Sequence, residues 1–435
     1  MKKKLLSALL CAAMTATMLI GCGSAEQAAT ETADKAADTA AETVVEDTEA
    51  ATTAEVEKVE LKVWSPEDEH DITVEQCEAF AANHPEYEIT FTYENVENAD
   101  SITQLKNDPD VAADVFVYPT VGIPEMIEAG LIYPITVDVE NVKSAYGENA
   151  IKSCSSDGVL YGIPQTPNAF FMYYNKSLFT EDEVKSIETM LAKDLGSDVK
   201  NFSFTISNSW YVESFFYANG GTLYGDDGTD GTQCSWNDEK GVAVGKYLLD
   251  LVANDKYVED IDGIAASMFQ EGKLGAVCSG TWSSEDFKAA LGDDLGATVL
   301  PTAEIDGKVC QLSNFADFKA YGVKSSTLYP KAAQQLAEWL GGEESQLKRF
   351  EAINMTPTVT ALLENESVQA NVAACALSEM TGKFSTPQPT TSQISQYWAP
   401  VEAFGKGIVN GDITEANLQE SLDSMVEGVT TKLAE

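Results

Sequence analysis

Ala113-Asp114-Val115-Phe116-Val117-Tyr118 contains a short, continuous apolar run, the pattern of a strand buried on both faces in a parallel sheet. Downstream, Ile123 to Ala129 reads as a helix with Gly130 placed as its C-cap. Upstream, Tyr87-Glu88-Ile89-Thr90-Phe91-Thr92-Tyr93 alternates with period two, and so does Val59-Glu60-Leu61-Lys62-Val63-Trp64. The stretch between these two strands is helical until Pro85, after His84, ends it. A short helix around 99–107 leads into the apolar run. Strands that alternate with helices in this way predict an α/β architecture. Further helices are expected at 181–194, 239–253, 331–341 and 415–433. No internal repeat with a period of about 20–50 residues is visible.

The 435 residues carry 27 Lys plus Arg against 70 Asp plus Glu, a formal net charge of −43. Such a length suits two or so domains. With 44% hydrophobic residues, the chain holds enough apolar side chains for a sizeable core. The acidic balance repels phosphate backbones and anionic headgroups, so no nucleic-acid partner is expected. His70 and His84 are the only histidines, which removes most histidine-based catalysis and metal chemistry.

Met1 is followed by Lys2, Lys3 and Lys4 and then by an apolar-biased run from Leu5 to Ile20. That run is short for a membrane span and has the form of a signal peptide. It ends in Leu19-Ile20-Gly21-Cys22, which resembles a bacterial lipobox. Residues 1–21 are therefore expected to be a lipoprotein signal peptide, with Cys22 as the lipidated residue. The lipid would hold the protein on the outer face of the bacterial cytoplasmic membrane. Residues 23–58 hold ten acids against two lysines and almost no aromatic side chain. The segment 22–58 is read as the lipidated Cys and an acidic, disordered tether.

Every Gly-Lys pair is followed by something other than Ser or Thr, so the phosphate-binding P-loop is absent. No Gly-x-Ser-x-Gly nucleophile elbow occurs. Besides Cys11 in the leader and Cys22, the cysteines are Cys77, Cys154, Cys234, Cys278, Cys310 and Cys375, none spaced as a zinc or redox pair. They are read as buried free thiols, although the extracytoplasmic setting permits disulfides. No metal, cofactor or catalytic residue is assigned. Paired carboxylates, the requirement for a glycosidase, are uninformative in so acidic a chain, and Glu67-Asp68-Glu69 reads equally well as a solvated turn.

The tryptophans say more. Trp210, Trp282 and Trp398 lie at junctions between loops and regular elements rather than in periodic stripes, whereas Trp339 sits in an amphipathic helix and is assigned to the core. Aromatic faces at such junctions suit stacking against sugar rings, with Asp, Glu or amide groups meeting the hydroxyls. For each tryptophan taken singly, core packing explains the residue as well as ligand binding does.

At this point the chain resembles a family. The lipobox, the first strand and Ala113–Tyr118 followed by Glu128-Ala129-Gly130-Leu131 look like an extracellular solute-binding protein of an ABC transporter. Gly158-Val159-Leu160-Tyr161-Gly162-Ile163-Pro164 and then Met172-Tyr173-Tyr174-Asn175-Lys176 carry the most specific similarity. Phe269–Lys273, Gly280-Thr281-Trp282, Val299–Thr302, Tyr321–Val323 and Ser395–Trp398 continue it in order. The resemblance is nearest to the maltose/maltodextrin-binding proteins, the family 1 solute-binding lipoproteins, and spans 59–435.

The resemblance implies a two-lobed, periplasmic-binding-protein-like fold of type II with the ligand cleft between the lobes. Lobe one would be 59–166 plus 320–355, and lobe two 167–319 plus 356–435. Trp282 and Trp398 match stacking tryptophans of the family, Trp210 a stacking tyrosine, Tyr118 a stacking tryptophan, and Asp68 a sugar-binding aspartate. A family glutamate near the hinge is replaced by Asn168, and an acid–base pair after Tyr118 by Val121 and Gly122. This leaves Thr120, Gln165 and Asn168 as polar candidates in lobe one.

The implied activity is capture of a malto-oligosaccharide or related oligosaccharide by hinge closure, as a monomer, and delivery to membrane permease subunits of an ABC importer. The alternatives are a lipid-anchored glycoside hydrolase and a sugar sensor or adhesin on the same fold.

Overall fold

The computed structural model describes residues 56–389 and 391–432. The expected signal peptide, Cys22 and nearly all of the tether lie outside the described residues. The Glu57–Ser65 strand pairs in parallel with Tyr87–Asn95 and with Val115–Pro119. These are the three strands read from the sequence, and the central one carries Val59, Leu61 and Val63 into the core. The Phe315–Val323 strand then runs antiparallel to Val115–Pro119 and, on its other side, to Ile163–Asn168.

A second sheet is built in the order Leu295–Thr298, Phe171–Asn175, Leu274–Ser279, Lys200–Phe204, Tyr257–Glu259. Each sheet has its own hydrophobic core. One is formed by residues from 59–163 and 316–362, the other by residues from 169–315 and 373–429. The chain thus passes between the cores three times, at 163–169, 315–316 and 362–373. The first passage is the Ile163–Asn168 strand itself, and the second is the start of the Phe315–Val323 strand paired with it.

Helix boundaries follow local chemistry. Asp238 accepts hydrogen bonds from the backbone amides of Lys240 and Gly241 and starts the Glu239–Ala253 helix. Pro330, free of an amide hydrogen, opens Pro330–Gly341. The helix expected over 181–194 is instead a single 3-10 turn at Glu183–Lys185 followed by Ile187–Ala192. The break comes at Ser186, whose extended backbone and side-chain acceptor for the Thr189 amide cap a new helix. Trp339 packs half-buried against the first core, and its indole donates to the carbonyl of Gln76 (3.0 Å).

One close approach positions the aromatic elements described below. Gly405, in the Trp398–Asn410 helix, lies so near the carbonyl of Ile206 that a Cβ there would overlap it. Residues 205–208 lead into the Ser209–Ala218 helix, so this contact sets the distance between the helices that carry Trp210 and Trp398 in their first turns. Gly405→Val is expected to destabilise the fold by about 1–3 kcal/mol, read as a lower urea midpoint at unchanged slope.

Candidate functional site

A cavity of about 290 Å³ opens between the two cores, lined among others by Asp68, Thr166, Asn168, Trp282, Lys319 and Met355. Three of the candidate residues read from the sequence therefore meet there: Asp68, Asn168 and Trp282.

Asp68 is exposed on the 3-10 turn Glu67–Glu69, directly after the first strand. Its neighbour points the other way. Glu69 is buried, pairs with Arg349 (Oε2 to Nη1, 3.2 Å) and accepts from the Gln165 amide (2.8 Å). Arg349 also donates to Thr73 Oγ1 (3.1 Å) and lies over the Tyr321 ring at 5.6 Å. Burial pushes the Glu69 carboxyl above the ordinary range, and the Arg349 guanidinium opposes that rise. With its neighbour fixed inward, the turn holds Asp68 at the cavity rim.

Trp282 stands on the turn Thr281–Ser283 that follows the buried Leu274–Ser279 strand, and is 58% exposed. Its six-membered ring folds back over Gly280, where any Cβ would overlap it. The result is a large aromatic face presented to solvent. Opposite sides of the rim are joined by the Asn354 amide, which donates to Glu285 Oε1 (2.7 Å).

Trp210 and Trp398 form a second aromatic feature. Asn208 caps the Ser209–Ala218 helix by accepting from the Trp210 amide (2.8 Å), which places Trp210 in its first turn. The indoles of Trp210 and Trp398 lie 6.1 Å apart at 24°. Phe315 and Tyr397 pack beneath them, and the Tyr397 hydroxyl donates to the Ser209 carbonyl (2.7 Å). Both tryptophans are partly exposed.

The remaining candidates are committed elsewhere. Tyr118, expected to stack on ligand, is fully buried; its hydroxyl donates to the Tyr161 carbonyl (3.2 Å), so neither ring face is free. It points inward because it lies in a strand buried along most of its length, packed against Phe116 and Gly322. Thr120 donates to Asp317 Oδ1 (2.7 Å), and Asn168 to Asp317 Oδ2 (2.7 Å). Gln165 is buried, with its amide shared between Glu69 and the Tyr321 hydroxyl. Thr120 and Gln165 are thus structural partners of buried groups, while Asn168 both holds Asp317 and lines the cavity. Burial pushes Asp317 upward, with the Asn168 and Thr120 hydrogen bonds opposing.

Lys319 and Glu285 are cavity residues that the sequence reading passed over. Lys319 had a visible signal: it is the single cation in the apolar Phe315–Val323 strand.

A larger cavity, of about 1130 Å³, lies elsewhere, between the Tyr146–Asp157 region and a turn running from Gly225 to Thr229. It contains no tryptophan and none of the candidate residues, so the site is placed in the smaller one. Among the described residues no cluster of His, Cys, Asp and Glu has the arrangement to hold a metal ion. The six cysteines are unpaired, four of them buried.

Glu213 is a buried acid beneath the aromatic pair. Its Oε1 accepts from the Phe315 amide (3.4 Å), and its Oε2 has no partner. Burial pushes its carboxyl well above the ordinary range, against the pull of nearby backbone amides. The folded state therefore binds more protons than the unfolded state above the ordinary carboxyl value, and stability falls as pH rises through that window. Glu213→Gln, an uncharged mimic of the acid form, is expected to flatten this loss between pH 5 and pH 8 in urea titrations. Arg349→Met is expected to cost about 3–5 kcal/mol in the same assay, because it leaves Glu69 buried without its partner.

Comparison with known proteins gives a consistent picture. Residues 75–376, more than half of the chain, match the family described as bacterial extracellular solute-binding protein. The galactooligosaccharide-binding protein of Bacillus subtilis (strain 168) is 27% identical over 382 residues, which is 85% of this chain and 88% of that protein. A solved structure described as being with acarbose is 34% identical, with a TM-score of 0.77, over 85% of this chain and 98% of that one. The maltodextrin-binding protein of L. casei BL23, solved without ligand, is 25% identical, with a TM-score of 0.79, over 86% of this chain and 99% of that one.

Proposed function

Because this chain belongs to the bacterial extracellular solute-binding protein family, we propose that it captures a malto-oligosaccharide or related oligosaccharide for a sugar importer of the ABC type. The observation that carries this reading is the exposed Trp282 ring beside Asp68 in one cavity between the two cores. A sugar ring lays its C–H face on an indole, and each such contact adds about 0.5–1.5 kcal/mol beyond area burial. Asp68 and Asn168 meet the hydroxyls, and the Trp210–Trp398 pair offers aromatic surface for further sugar units. A neutral ligand also suits a chain whose charge of −43 repels anions.

In this reading the two cores belong to two lobes that close over the ligand, bending at the three chain passages. Ligand contacts both lobes, so it binds the closed arrangement better and shifts the population towards it. Closed lobes then present the joint surface that the permease subunits recognise. Lipid on Cys22 keeps the protein at the membrane, and the acidic stretch between it and the Glu57–Ser65 strand gives it reach.

Isothermal titration with maltotriose, maltotetraose and β-1,4-galactotriose tests the proposal. At least one of these is expected to bind with an exothermic, saturable signal. Trp282→Ala and Trp398→Ala are each expected to weaken that binding about tenfold or more. Silence from all three sugars, or full affinity in both variants, would sink the assignment.

A further inference from the structure

The geometry points to Lys319 as a ligand-contacting, specificity-determining residue that grips, together with Asp68, hydroxyl groups of the sugar unit stacked on Trp282. This rests on the oligosaccharide reading above and adds a donor that the sequence alone did not supply.

Lys319 belongs to the Phe315–Val323 strand, where it pairs with Thr166 on one side and Pro119 on the other. Its neighbours Phe318 and Ala320 are buried, while Lys319 itself is only partly so and lines the cavity that holds Asp68, Asn168 and Trp282. Among the described residues its ammonium forms neither an ion pair nor a hydrogen bond. Lys324, immediately after the same strand, shows the usual alternative: its ammonium donates to the Ala112 carbonyl (2.7 Å) and lies 3.9 Å from Asp114. A cation withdrawn from bulk water is ordinarily paired, especially in a chain with 70 acids.

The acids nearby form no ion pair with Lys319, although its charge joins that of Arg349 in opposing the rise of Glu69. Glu69 is taken by Arg349 and Gln165, Asp317 by Thr120 and Asn168, and Glu285 by Asn354. Asp68 is exposed at the rim and forms no ion pair with it. A donor with three N–H groups and an acceptor-only carboxylate thus line the same small space, beside an aromatic face. A sugar unit on that face offers neighbouring hydroxyls. One accepts from the ammonium and another donates to the carboxylate, and both bonds are of the charge-assisted kind. A sugar whose hydroxyl at one of these positions is inverted keeps the stacking and loses one of the two bonds.

The test is isothermal titration of the purified full-length chain with maltotriose, maltotetraose and β-1,4-galactotriose, for wild type, Lys319→Met, Lys319→Arg and Asp68→Asn. Lys319→Met keeps the aliphatic stem and removes the donor. It is expected to weaken binding of the wild type's preferred sugar on the order of ten- to a hundredfold. Its preference among the three sugars narrows, its Tm stays that of the wild type, and Lys319→Arg recovers part of the affinity. Combining Lys319→Met with Asp68→Asn is expected to cost less than the two separate losses together, because both contact one sugar unit. If the wild type binds and Lys319→Met binds equally well, or loses only Tm, Lys319 is structural and the inference falls while the oligosaccharide assignment stands. If the wild type binds none of the sugars, both fall.

Discussion

A carboxylate withdrawn from water has to be met by donors, and the arrangement around Asp317 follows from that requirement. Asp317 is almost wholly buried in the strand that pairs with both Val115–Pro119 and Ile163–Asn168. Thr120, just beyond the end of one neighbouring strand, and Asn168, the last residue of the other, both donate to it. The three segments are therefore tied together where the chain leaves the first core for the second. Alternation along the strand puts residue 319 on the same face as residue 317. The anchored acid thus fixes the backbone from which Lys319 enters the cavity.

The same division of labour recurs at the first turn. Glu69 and Arg349 form a buried pair that also engages Gln165, Thr73 and, through its ring face, Tyr321. Such a pair contributes little net stability over a well-packed apolar substitute, but losing one partner is costly. Its use here is geometric. Adjacent side chains on a tight turn diverge, so Glu69 held inward means Asp68 held outward. In both places a buried, partnered acid sits close to an accessible charged side chain.

Much of the architecture was legible because it rests on local pattern. The three leading strands follow from period-two alternation and one continuous apolar run, and Glu239–Ala253 from its cap and its periodicity. The aromatic residues Trp210, Trp282 and Trp398 could be singled out because they begin elements instead of filling stripes. Tyr118 misled because likeness to a stacking position says nothing about orientation, and a strand buried along most of its length leaves its ring no solvent to face. Thr120 and Gln165 misled for another reason: their partners, Asp317 and Glu69, lie 197 and 96 residues away, and no local rule links them. Lys319 stood out as the single cation of its strand, but the sequence could not show that the neighbouring acids are occupied by other partners.

The threading of the chain through its two cores has a consequence for how the protein is made. The first sheet begins at residue 57, yet its Phe315–Val323 strand arrives only after the entire second sheet has been synthesised. Until then Val115–Pro119 has an open edge, and the apolar side chains it shares with the later strand have nothing to cover them. Pairings so far apart in sequence are slow to form, and their late arrival leaves a long interval for aggregation. The amino-terminal half cannot complete its core before residues 316–362 have been made.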